Sequence, residues 1–245
     1  MSEDSKKAQI EATSGFRAIV FDFDGLILDT ESPDFVAWSE VYAEHDRELE
    51  FDDWVRNVGL GAKDVRFSPL DSLQAQVLNR LDEEGINARR RQRYLELVHA
   101  QQILPGVEAA IAAAKRLDMK LAVASSSDCA WVTGHLLRLN LFHSFDVIRC
   151  ADHVQHTKPH PELYLAAVNA LGMEPHDAVA FEDSSHGVTA AKAAGLYAVA
   201  IPNSATHRLP LAHADLRLAS LDAMPLETLL ATLKKDEQTR INREE

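Results

Sequence analysis

The feature that most constrains this chain is a series of short apolar runs in its second half, separated by stretches with helical periodicity. The runs are residues 120–125 (KLAVAS), 146–150 (DVIRC), 178–183 (AVAFED), 197–202 (YAVAIP) and 216–221 (LRLASL). Each is rich in small or β-branched apolar residues and ends in polar or turn residues. Strands buried on both faces read this way. Between them, Val107, Ala110, Ile111, Ala114 and Leu117 recur at helical spacing. Residues 161–171 carry Pro161 in the first turn and Gly172 just past the end, and residues 187–194 stop at Gly195. Strands alternating with helices predict an α/β fold, a Rossmann-like three-layer core with a parallel sheet covered on both faces. Residues 18–24 (AIVFDFD) add one more strand.

From about residue 32 to 103 the pattern changes, and no convincing strand occurs. Ser32 and Pro33 read as N-cap and first helical residue. Phe35, Trp38 and Tyr42 share one helical face, and further helices are expected over 72–84 and 87–102. Leu104, Pro105 and Gly106 mark the return to the core. The expected organisation is a tail over 1–15, an α/β core formed by 16–31 and 104–235, an all-helical cap inserted over 32–103, and a polar tail over 236–245.

Composition narrows the function. The 245 residues hold 25 Lys and Arg against 38 Asp and Glu, a net charge of −13. That balance argues against a nucleic-acid or anionic-membrane surface. Cys129 and Cys150, the only two cysteines, exclude a disulfide scaffold or a four-cysteine zinc site and fit a reducing compartment. No apolar run approaches the roughly 18–20 residues that span a bilayer. The opening residues lack the apolar core of a signal peptide. A cytoplasmic protein is expected.

The chemistry gathers at strand ends. Asp22 and Asp24 sit two apart, so in extended chain both start on the same face, with Phe23 on the other. Gly25 then signals a sharp turn. Two carboxylates this close repel unless a cation or a shared proton relieves them. One of them capping the next turn is the plain reading. A divalent-metal site, or a nucleophile beside an acid/base, are the sharper ones. An EF-hand fails, because the glycine comes at the fourth loop position and Pro33 takes the place of the bidentate glutamate. A second acidic pair, Glu182 and Asp183, ends another strand, with Ser184 and Ser185 as competing helix caps. Two buried strands ending in paired carboxylates suit hard, oxygen-preferring Mg²⁺.

Ser125, Ser126 and Ser127 follow a strand, with Asp128 as an N-cap, and such a turn can hold an anion. Lys158, in a loop fixed by Pro159 and Pro161, is a candidate point charge for phosphate. All these groups fall at the carboxyl ends of proposed parallel strands, where open α/β sheets bind ligands. No GxxxxGK[ST], GxGxxG or GxSxG motif is present. His153, His156 and His160 lack a matching Cys or carboxylate pattern and read as loop histidines. Cys129 opens a predicted helix with no base partner in sight and reads as a buried structural thiol. Residues 89–93 (RRRQR) read as a solvated helix face.

Together these motifs resemble the haloacid dehalogenase-like superfamily, in the branch of beta-phosphoglucomutases and sugar-phosphate phosphatases. The resemblance runs from about residue 16 to 221. Its motifs stand in family order: Asp22-Phe23-Asp24-Gly25 with Asp29-Thr30-Glu31, then Ala124 to Ser127, then Lys158-Pro159, then Glu182-Asp183-Ser184. The resemblance implies Asp22 as the nucleophile that forms an aspartyl-phosphate, and Asp24 as general acid/base. It implies Ser125 and Lys158 as holders of the phosphoryl group. Mg²⁺ would be bound by the Asp22 carboxylate, the Asp24 carbonyl and Asp183, with Glu182 supporting or ligating. Ser126, Gly61, Lys63 and Asp34 are candidate substrate contacts, the last three in the cap. An aspartate at 24 separates the chain from true dehalogenases and phosphonoacetaldehyde hydrolases. Beta-phosphoglucomutases carry a His where Asp34 stands, and of the basic cap residues that grip a distal phosphate only Lys63 remains. The expected function is a Mg²⁺-dependent phosphatase of a small phosphorylated metabolite. A sugar-phosphate mutase and a non-catalytic phosphosugar-binding protein are the alternatives.

Overall fold

The computed structural model describes residues 15–244, with side chains to residue 235. Residues 1–14, most of the expected N-terminal tail, lie outside the described residues.

Six strands form one parallel sheet: β1 Ala18–Phe21, β2 Lys120–Ala124, β3 Val147–Arg149, β4 Ala178–Glu182, β5 Tyr197–Ala200 and β6 Leu216–Arg217, in the order β3-β2-β1-β4-β5-β6. The expected strand over 216–221 shrinks to its first two residues. After β1 the chain builds β2 and β3 on one side, then returns to place β4 on the other. The sheet therefore has a switch point beside β1, the place where such sheets bind ligands. Register makes the site possible: Phe21 is level with Val123 on one side and Phe181 on the other. Asp22, Ser125, Glu182 and Asp183 consequently leave the sheet along one edge.

The two faces differ by residue size. Ile19, Phe21, Leu121, Val123, Val179 and Phe181 fill one core, where Phe21 meets Phe181 edge-on at 5.1 Å. Ala18, Val20, Ala122, Ala124, Ala178, Ala180, Ala198 and Ala200 face the other. Period-two alternation sorts them, and the small residues let the covering helices approach closely. Those helices are α5 Val107–Arg116, α6 Cys129–Arg138, α7 Glu162–Leu171, α8 Ser185–Ala193 and α9 Leu226–Glu244. The backbone of α9 carries helix through most of the expected polar tail.

Between β1 and α5 lie only helices: α1 Glu31–Ala43, α2 Phe51–Trp54, which runs on as a 3₁₀ turn, α3 Pro69–Gln76 and α4 Glu83–Ala100. They enclose their own core of Trp38, Tyr42, Leu49, Trp54, Leu73, Leu81 and Ile86. Three sequence expectations are corrected here. Helix α1 starts at Glu31, with Thr30 at the N-cap, and Asp29 accepts the Ser32 amide at 2.9 Å. The Thr30 hydroxyl is committed to Asp24 instead. The helix expected over 72–84 is α3, started by Ser68, which accepts the Asp71 amide, and it ends at Gln76. The helix expected from 87 begins at Glu83, because Asp82 caps it through the Gly85 amide.

Candidate active site

The carboxyl edge of β1, β2 and β4 gathers Asp22, Asp24, Ser125, Glu182 and Asp183, and the loop before α7 adds Lys158. Asp22, Ser125, Lys158, Glu182 and Asp183 are buried. Lys158 Nζ donates to Asp22 Oδ1 and, at 2.6 Å, to Glu182 Oε1. The Tyr164 hydroxyl donates to the same Glu182 oxygen. Glu182 Oε2 accepts from the Ser184 hydroxyl at 3.3 Å. Gly187 packs so closely under this carboxylate that a Cβ there would lie 2.0 Å from it. Glu182 is thus positioned to hold Lys158, and its oxygens are already engaged. Ser184, the expected cap, does cap α8 through the Gly187 amide.

Asp183 stands differently. Its Oδ2 accepts from Asn203 Nδ2 at 2.9 Å, and the same amide donates to the Gly25 carbonyl at 2.8 Å. Its Oδ1 is buried and has no hydrogen-bond partner among the described residues. Asp22, Glu182 and Asp183 bring carboxylate oxygens within 4.8 Å of one another. These three face one ammonium in a buried space, which leaves negative charge uncompensated. Burial pushes Asp22 up to about 8, against the pull of Lys158 and with help from Glu182 and Asp24. Asp183 is raised by burial first, then by Asp22 and Glu182. Burial alone would lower Lys158, but Asp22 and Glu182 outweigh it and hold the ammonium charged. An orphaned buried carboxylate oxygen beside a charge excess fits a hard divalent cation. Gly25 makes room for it: at φ +82° it lets the backbone turn, and a Cβ there would lie 2.3 Å from Asp183 Oδ2.

The Asp24 side chain is held by four donors on both its oxygens. Its Oδ1 accepts from Thr30 Oγ1 at 3.0 Å and Trp131 Nε1 at 2.9 Å, and its Oδ2 from Ser125 Oγ at 3.1 Å and Ser127 Oγ at 2.7 Å. Asp128 caps α6 through the Trp131 amide, which sets Trp131 in the first turn.

Two cavities of about 390 and 380 Å³ open on either side of Asp24 and share Leu60, Tyr94, Ser126 and Ser127. Gly61 and Lys63 line the first, while Asp34 and Glu31 line the second. The loop that carries Gly61 meets the core directly. Ser126 Oγ donates to the Gly59 carbonyl at 3.2 Å, and a Cβ on Gly61 would lie 2.4 Å from Thr157 Oγ1. Asp34 is tied to Arg90 Nη1 at 2.7 Å and Trp54 Nε1 at 2.8 Å. Burial raises Asp34, partly offset by those two donors. Arg90, expected on a solvated face, also lies 5.0 Å over the Trp38 ring.

Tyr164, Asn203 and Trp131 had no signal in the motifs. Asn203 could have been found, since it follows β5 at the same sheet edge. The histidines do not form one cluster. His156 and His160 meet at Glu162, whereas His153 lies 3.5 Å from Cys129 Sγ. Cys129 therefore has a base beside it, contrary to expectation, and is half-buried where a buried thiol was expected. The contact joins residues 24 apart, which local spacing does not reveal.

Comparison with known proteins agrees with this geometry. A model of haloacid dehalogenase-like hydrolases matches residues 16–195. The chain is 42% identical over 214 residues to a provisionally named phosphatase, YhcW of Bacillus subtilis (strain 168), covering 87% of this chain and 96% of that one. It is 32% identical over 185 residues to fructose-1-phosphate phosphatase YqaB of Escherichia coli (strain K12), covering 75% and 95%. The crystal structure of a single-site mutant of CbbY from Rhodobacter sphaeroides in complex with xylulose-(1,5)bisphosphate superimposes with a TM-score of 0.66 at 29% identity, over 84% of this chain and 95% of that one. The chain belongs to the haloacid dehalogenase-like hydrolases, in the branch that holds beta-phosphoglucomutases and sugar-phosphate phosphatases. It is an enzyme of the phosphoric monoester hydrolase class. Among the described residues, no helix is long and apolar enough to cross a membrane.

Proposed function

We propose that this protein is a Mg²⁺-dependent phosphatase of a small sugar or sugar-alcohol phosphate, working through an aspartyl-phosphate on Asp22. The observation that carries it is the buried Asp22–Lys158 pair beside the orphaned Asp183 oxygen, with Asp24 next to it on a separate set of donors. Relatives named for fructose 1-phosphate, hexitol and phosphorylated-carbohydrate phosphatases support the substrate class.

In the first step an Asp22 oxygen attacks phosphorus, and the bond to the substrate's ester oxygen breaks. Asp24 in its acid form gives the leaving alkoxide a proton. In the second step Asp24 takes a proton from water, which attacks the same phosphorus and frees Asp22. Dividing the reaction this way replaces one hard displacement by two easier ones. Lys158, and Ser125 once released from Asp24, hold the phosphoryl oxygens, which suits a reaction governed by positioning and charge neutralisation. Asp22, the Asp24 carbonyl and Asp183 would hold Mg²⁺, which supplies charge neutralisation for the phosphoryl group. Glu182 holds Lys158 in place.

Residues 32–103 act as the cap. The loop carrying Gly61 and Lys63 and the first cap helix carrying Asp34 face the substrate, with Ser126 on the core side. The mutase reading is disfavoured because the position of its His is filled by Asp34, which Arg90 and Trp54 already engage.

The test is phosphate release from a panel of sugar and sugar-alcohol phosphates, with and without Mg²⁺, using Asp22→Asn as the blank. Release by the wild type alone, and only with Mg²⁺, is expected. Turnover that needs a bisphosphate primer and releases no phosphate would replace the phosphatase by a mutase. No turnover under either condition would favour a binding protein.

A further inference from the structure

Away from the acidic centre, a second set of metal-ligating side chains comes together from three elements. Cys129 is the first residue of α6, Cys150 follows β3, and His153 closes the 3₁₀ turn after it. The two sulfurs and a ring nitrogen lie within 4.8 Å of one another. Cys129 Sγ is 3.5 Å from His153 Nδ1. We infer that Cys129, Cys150 and His153 form a site for a soft or borderline divalent cation of the Zn²⁺ class, distinct from the oxygen site at Asp22 and Asp183.

Donor chemistry separates the two sites. Carboxylate and carbonyl oxygens suit Mg²⁺, whereas two thiolates and an imidazole suit zinc. Their surroundings favour a bound ion as well. The His153 amide donates to the Cys150 side chain, and an N–H directed at sulfur persists when that sulfur becomes a thiolate ligand. The Asp152 carboxylate accepts the Cys129 amide at 2.5 Å and so anchors the start of α6. Cys150 is fully buried at the bottom. Half-buried Cys129 and exposed His153 form the mouth, so an ion enters from solvent.

Binding follows a definite balance. The ion takes two sulfur ligands, and two thiol protons leave to solvent. His153 Nδ1 exchanges the hydrogen bond it accepts from the Cys150 amide at 3.1 Å for a bond to the metal. Three protein ligands leave one position open, as in exchangeable zinc sites. An ion there ties the start of α6 to the turn after β3. It therefore stiffens the segment that carries Ser125, Ser126 and Ser127, directly before α6.

The experiment is titration of the reduced full-length protein with Co²⁺ in excess Mg²⁺, reading the near-ultraviolet thiolate-to-cobalt absorption. The expected result is a band that saturates at about one ion per chain, releases about two protons, and is displaced by Zn²⁺. Cys129→Ser, at a half-buried position, should halve the band and weaken binding by about tenfold or more, and His153→Ala should weaken binding while keeping the band. Asp183→Asn should leave the band unchanged. Absence of a thiolate band, or an unchanged band in Cys129→Ser, would overturn the site. So would a reduced protein that binds no cobalt but loses both free thiols to a small-molecule disulfide, which would make the pair a redox couple.

Discussion

The indole nitrogen of Trp131 donates to Asp24 Oδ1 at 2.9 Å, linking the first turn of α6 to the end of β1 across 107 residues of sequence. With Thr30, Ser125 and Ser127 it completes four donors around one carboxylate. In the proposed mechanism Asp24 alternately gives and takes a proton, a role that needs a fixed direction, and Trp131 helps to supply it.

Trp131→Phe keeps the ring and removes the N–H. A hydrogen bond to a charged group is worth about 1.5–3 kcal/mol. If half of that bears on the transition state, kcat should fall about threefold to tenfold, with KM little changed. Steady-state kinetics on the best panel substrate check this. An unchanged kcat would show that Asp24 is held well enough by its three hydroxyl partners.

Asp183→Asn should abolish phosphate release while leaving the protein folded. The variant removes a buried carboxylate that has one free oxygen, and it loses the charge that a cation would need. In the wild type, Mg²⁺ at about 100 times its Kd should stabilise the fold by about 2.7 kcal/mol. Thermal unfolding with and without Mg²⁺ reads this directly, and the shift should vanish in the variant.

Gly187→Ala tests the support beneath Glu182. Its Cβ would start 2.0 Å from the carboxylate, so either α8 or Glu182 must move. Overpacking of this kind costs about 1–3 kcal/mol. The urea midpoint should fall accordingly, and activity should fall with it because the Glu182 partner of Lys158 is displaced. An undisturbed midpoint would mean that α8 shifts freely.

Asp146 gives a pH signature at the opposite edge of the sheet. Burial pushes it up, but the Leu121 amide at 2.9 Å and Lys120 at 3.0 Å outweigh that and hold it below the usual carboxylate range. A depressed folded value means that the unfolded chain binds the proton more readily. The resulting stability is present above the unfolded value near about 3.9 and is lost as pH falls through the folded one. Asp146→Asn should therefore be less stable than the wild type at pH 7, with the gap closing toward pH 3. Urea unfolding at several pH values measures it.

Much of this was legible in the chain. Short apolar runs with period-two alternation announced the parallel sheet, and acidic pairs closing two of those runs announced the edge where the buried carboxylates gather. Asp22, Asp24, Ser125, Lys158, Glu182 and Asp183 meet in space because each follows a strand or its loop, and strand register is set by the same apolar pattern. Helix starts were read less well. Thr30, Ser68 and Asp82 each required knowing where a side-chain oxygen goes, and Thr30 spends its hydroxyl on Asp24 instead of its helix.

The sequence by itself determined the sheet, the helical insertion and which charged and hydroxyl side chains stand at the strand ends, since these depend on local periodicity and on residue types placed next to those ends. Tertiary structure alone decided what holds those groups in place. Glu182 against Lys158, Asn203 against Asp183, Trp131 on Asp24, and His153 against Cys129 all join residues twenty or more apart in the chain. Such contacts depend on how layers pack and on which side-chain oxygen or nitrogen is left without a nearer partner, and neither is written in any local pattern.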